Sequence, residues 1–98
     1  MPAESVTIRM ARAEDADRVA NLAALDSAPA PEGRVLLAEV GEDLWAALSL
    51  EDCHAVGDPF HPTGELVFLL VERGRQLRRH EQRRTRRGLM RRRRPALA

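Results

Sequence analysis

The sequence predicts an α+β domain built on a small, mostly antiparallel sheet of about four strands. Three observations predict it. The chain opens with period-two alternation, switches at once to helical spacing, and then runs through three short apolar stretches divided by turn residues. A second helical stripe follows, so the order is β-α-β-β-β-α. The 98 residues fit one small domain with a basic extension. We place the domain at residues 5–77 and an arginine-rich tail, disordered or partly helical, at residues 78–98.

Residues 5–10 put Val6, Ile8 and Met10 on one face and Thr7 and Arg9 on the other, the pattern of a half-buried strand. Residues 14–26 carry Ala16, Val19, Ala20 and Ala23 at helical spacing, with Glu14, Asp15, Asp17 and Arg18 predicted to face out. Acidic residues in that first turn suit the helix dipole. Pro29, Pro31 and Gly33 then mark a surface loop. Residues 34–40 and 44–50 read as a hairpin turning through Gly41-Glu42-Asp43, and residues 54–58 as a short fourth strand stopped by Pro59. Thr63 is the N-cap candidate for a helix starting at Gly64. On that helix Leu66, Leu69, Leu70 and Leu77 share one side, Gly74 weakens it, and the apolar stripe ends at Leu77.

Charge is segregated along the chain. Residues 1–72 hold 4 Arg against 14 Asp+Glu, and residues 73–98 hold 12 Arg against Glu81 alone. That asymmetry points the tail towards an anionic partner. All sixteen basic residues are Arg, a bias that GC-rich coding also produces. Aromatics are restricted to Trp45, Phe60 and Phe68, so the core must rest on Leu, Val and Ala. The single cysteine, Cys53, favours a reducing compartment. The first residues lack the pattern of a signal peptide, and the longest apolar run is far too short to span a bilayer. A cytoplasmic protein without a transmembrane segment is the expectation.

The stretch VTIRMARAEDADRVANLAAL resembles the opening of GCN5-related N-acetyltransferase (GNAT) domains, and VLLAEVGEDLWAALSL resembles the hairpin that follows. The resemblance covers residues 6–58, about half of such a domain. It implies an acyl-CoA N-acyltransferase fold, with acetyl-CoA held by a glycine-rich loop after the fourth strand. Here that place holds Pro59-Phe60-His61-Pro62-Thr63-Gly64, where two prolines remove N–H donors. Arg73-Gly74-Arg75 lies inside the predicted helix, and the second half of the family's sheet has no counterpart. The resemblance therefore implies a truncated member with no catalytic and no cofactor-binding residues of its own.

Candidate chemistry is sparse. Cys53, His54, Asp58 and His61 have ligand side chains but not the paired spacing of a zinc site, so they read as a polar turn and no metal site is assigned. Cys53 and His54 are strand neighbours and point to opposite faces. Glu39, Glu51 and Asp52 lie where the resemblance would seek a general base, and read as surface charge. Trp45 reads as core or partial-core packing. The strongest functional signal is the set Arg78, Arg79, Arg83, Arg84, Arg86, Arg87, Arg91, Arg92, Arg93 and Arg94, which suits phosphate contact without base specificity.

Three functions follow as expectations. The first is a non-catalytic binding or accessory module. The second is an N-acyltransferase, using acetyl-CoA, whose site is completed by another chain. The third is anion or nucleic-acid binding, or docking on an acidic surface, through the tail. The fourth-strand edge is the expected place for a homodimer contact or a heterologous protein partner.

Overall fold

A computed structural model describes residues 5–92. The predicted elements occur in the predicted order: β1 (Val6–Met10), α1 (Ala16–Leu25), β2 (Val35–Val40), β3 (Asp43–Ser49), β4 (Ala55–Gly57) and α2 (Gly64–Arg92). A 3-10 turn, Ala13–Asp15, leads into α1. The fold is α+β, and its four strands lie in the order β1-β2-β3-β4 with every neighbouring pair antiparallel.

The sheet has a helix on each face. Val19, Leu22 and Ala23 of α1 pack on Val35, Leu37, Ala47 and Val56. Leu66 and Leu70 of α2 pack on Leu36, Ala38, Val40, Ala46, Leu48 and Leu50 from the other side. This double cover explains why β2 reads VLLAEV, an apolar run rather than a clean alternation. Burying Leu36, Leu37 and Leu48 almost completely contributes about 2 kcal/mol each on an area basis.

Two backbone details set the register. Val40 pairs with Asp43, leaving Gly41 and Glu42 as a two-residue hairpin loop, and Gly41 takes φ +63° at its first position. Gly adopts that angle without the steric penalty a side chain would bring. Further on, Ala38 pairs with Ala46 but Glu39 pairs with Leu44, so Trp45 is the extra residue of a β-bulge. The bulge puts Trp45 beside Ala46 on the α2 side and turns Leu44 to the α1 side.

Gly74 is not simply a weak point in α2. It is buried, and a Cβ there would lie 3.1 Å from Leu50 Cδ2 and 3.4 Å from Leu48 Cδ2. The missing side chain is what lets α2 lie close on β3. Leu77 still packs on this core, and the helix leaves the body beyond Glu81. It is 29 residues long, about 43 Å at the usual rise. The molecule measures 65 × 31 × 22 Å with a radius of gyration of 17.2 Å, against roughly 13 Å for a compact chain of this length.

Candidate anion-binding helix

Local sequence explains why the arginine segment is helical. Arg, Gln, Glu and Leu are good helix formers, and the helix is already nucleated on the sheet by Leu66 and Leu70. The helix begins where Thr63 accepts the first intrahelical bond, from the Val67 N–H at 2.9 Å. No break intervenes before Arg92.

The arginines expected to meet anions have different surroundings. Arg78 is tied to the body: its Nη1 donates to the Leu50 carbonyl at 3.2 Å and to Cys53 Sγ at 3.0 Å. Glu81 is tied as well, accepting from Arg34, which also donates to Glu51 at 2.9 Å. Arg79, Arg83, Arg84, Arg86 and Arg87 are exposed and make no ion pair among the described residues. Arg91 and Arg92 fall in the last turn of α2, while Arg93 and Arg94 lie outside the described residues. The periodicity that ended at Leu77 gave no sign of the Arg78 and Glu81 anchors. Their signal is chemical, an Arg and a Glu one helical turn apart beside a turn rich in carbonyls and carboxylates.

The most elaborate polar cluster lies elsewhere, between β1, β2 and α1. Arg9 donates to both Asp15 oxygens at 2.8 and 2.9 Å and to Glu39 at 2.7 Å. Arg18 donates to Glu39 at 3.0 Å and to the Glu42 carbonyl at 3.1 Å. Asp15 also accepts the Arg12 N–H at 2.8 Å. Asp15 therefore does not face solvent, as helical periodicity had it, but is 4 % exposed. Periodicity fails here because residues 13–15 form a 3-10 turn, which rotates Asp15 back over β1. Hydrogen bonds from Arg9 first, then from the Arg12 N–H, hold the Asp15 carboxyl far below the usual carboxylate range. Arg9 and Arg18 likewise depress Glu39.

The carboxylates weighed as general bases are thus all engaged. Glu39 is shared by two guanidinium groups, and Arg34 lowers Glu51. The His54 N–H lowers Asp52. A carboxylate so stabilised as an anion is a weak proton acceptor. The residues with metal-ligand chemistry do not converge either. Cys53 faces Arg78, His54 Nε2 meets the Pro29 carbonyl at 2.7 Å, and His61 lies 3.8 Å from Asp58. No group of three or more potential ligands forms among the described residues.

The loop into α2 is self-occupied. Asp58 Oδ1 accepts the Phe60 N–H at 2.8 Å, the Asp58 carbonyl accepts that of His61 at 3.2 Å, and Pro59 and Pro62 have none to give. A phosphate cradle needs converging N–H donors, and those of Phe60 and His61 are spent internally. The same loop lays the His61 ring on Trp45, with centroids 4.0 Å apart and planes 12° from parallel. Trp45 packs against the α2-side core as expected, but its Nε1 is buried without a hydrogen-bond partner among the described residues.

With this geometry in hand, comparison against family models, curated proteins and solved structures returned no match. Among the described residues no helix is long and apolar enough to cross a membrane.

Proposed function

We propose that this chain is a non-enzymatic binding module whose sheet domain holds out an arginine helix for a polyanionic partner, a nucleic-acid duplex above all. The observation that carries the reading is the continuity of α2. Among the described residues the last that touch the body are Arg78 and Glu81, and the helix then runs on to Arg92 with Arg83, Arg84 and Arg87 exposed. Guanidinium groups fixed on a helix lose less freedom on meeting phosphates than the same groups on a loose chain. No aromatic residue follows Phe68, so base stacking has no platform and binding is indifferent to sequence.

The GNAT-like reading of the body fits a binding role better than an enzymatic one. Its support is the element order and the engaged carboxylates, and the loop at residues 59–62 offers no free N–H cradle for a cofactor. Acetyl-CoA is accordingly expected to leave thermal melting unchanged up to millimolar concentration. A saturable upward shift, about 2.7 kcal/mol at 100 times Kd, would mean that an acyl-CoA site exists.

The test of the polyanion reading is salt dependence. Intact protein should bind unrelated duplexes about equally, with log K falling steeply against log salt, by about 0.9 per phosphate neutralised. The variant Arg83→Gln/Arg84→Gln/Arg87→Gln should flatten that slope by up to about 2.7. Binding that ignores salt, or that survives unchanged in the triple variant, sinks the reading.

A further inference from the structure

Glu65, Glu72, Arg79 and Arg86 recur at every seventh residue of α2. Seven residues are two turns less about 20°, so the four form one slowly drifting stripe. The stripe lies on the side of the helix away from Leu66, Leu70 and Gly74, which meet the sheet. Glu65, Arg79 and Arg86 are exposed and Glu72 is half-buried. Read along the helix, the charges run acid, acid, base, base.

That order complements itself when reversed. Set two copies of α2 antiparallel with a dyad between Arg75 and Gln76, and Glu65 of one copy falls opposite Arg86 of the other. Glu72 falls opposite Arg79, and the dyad repeats both pairs. The 20° drift of the stripe suits the shallow crossing of packed helices. The same overlay addresses the exposed apolar surface at the start of α2. Phe60 is 78 % and Phe68 64 % exposed, and Leu89 near the far end is 48 % exposed. Leu89 of the second copy falls beside Pro62 and the neighbouring Phe60. The stem of its Arg86 lies along the shallow depression lined by Gly64, Glu65, Phe68 and Leu69.

We propose that α2 pairs antiparallel with α2 of a second copy through this stripe. The distribution of charge favours that occupant over a foreign partner. The body is acidic and the extension basic, yet α2 carries its described arginines beyond Arg78 away from its own body. Within the chain Glu72 pairs with Arg75 at 3.4 Å, but Arg79 and Arg86 make no ion pair among the described residues, and a second copy reversed along the helix brings them to the acidic start of α2. Arg83 shares the angle of Glu65 on the stripe, whereas Arg87 lies on its flank and Arg84 on the side of Leu66, so the pairing leaves Arg84 and Arg87 open.

The test uses nuclease-treated full-length protein, free of polyanion, in sedimentation equilibrium at low and high salt. Wild type should be a dimer at high micromolar concentration in low salt and dissociate as salt rises. Glu65→Arg/Glu72→Arg and Arg79→Glu/Arg86→Glu should each weaken self-association by roughly a hundredfold. Mixed in equal amounts, the two variants should associate again, because every contact in the mixed pair is once more acid against base. Far-UV circular dichroism checks that both variants stay folded. A monomeric wild type, a double variant that dimerises as tightly as wild type, or a mixture that stays monomeric overturns the proposal.

Discussion

At the scale of single residues, Asp15 and Trp45 carry the clearest consequences. Asp15 and Glu39 are held ionised by Arg9 and Arg18, so their folded carboxyls titrate below the unfolded values of about 3.9 and 4.3. Groups depressed on folding stabilise fully above the unfolded value and lose that contribution as pH falls towards the folded one. The melting temperature should therefore drop as pH is lowered through about 4. Asp15→Asn should start lower at neutral pH and show a shallower acid decline. Equal slopes for the two proteins would place the acid sensitivity elsewhere. Trp45 combines a useful ring with a stranded N–H. Trp45→Phe keeps a ring for His61 to stack on and removes the buried donor, so it should be neutral or slightly stabilising in a denaturant melt. Trp45→Ala should cost about 3 kcal/mol.

At the scale of elements, α2 behaves as two halves of one helix. Over its first half, close approach to β3 depends on Gly74, and Gly74→Leu should cost about 1–3 kcal/mol through overpacking against Leu48 and Leu50. Gly88 meets nothing within 4 Å, so Gly88→Ala should raise helicity, by up to about 1 kcal/mol of local helix stability, without moving the global transition. Measured at high salt, where α2 is unpaired, a cooperative gain in the melt from Gly88→Ala would mean that the distal half packs on its own body. Within one chain, the described residues beyond Glu81 lack buried partners and their arginines repel one another at helical spacing. Amide exchange protection should fall off there, and a bound polyanion should restore it.

At the scale of the whole molecule, the boundary between body and extension is set by Arg78 and Glu81. Residues 78–98 read as tail because the apolar stripe ends at Leu77. Yet Arg78 caps the Leu50 carbonyl, and Glu81 completes the pairing of Arg34 with Glu51. At high salt, where the protein is monomeric, ending the chain at Gln82 should leave the melt nearly unchanged, whereas ending it at Leu77 should lower stability by about 1–2 kcal/mol. Identical melts for the two truncations would show that these anchors contribute nothing. The β4 edge, expected to recruit a partner, offers only Ala55–Gly57, and Asp26 already accepts the Gly57 N–H at 3.1 Å.

What the sequence by itself determined is everything that depends on periodicity and turn chemistry. Alternation located β1, helical spacing located α1 and the start of α2, and Gly41 located the hairpin, because these signals come from neighbours along the chain. Segregated charge made the arginine segment legible for the same reason. Tertiary structure alone decided how side chains far apart in sequence meet. Asp15 turned inward to Arg9, the bulge at Trp45 changed which residues share a face, and Gly74 became a helix–sheet contact rather than a flaw. Those outcomes follow from three-dimensional closeness, which no one-dimensional period encodes.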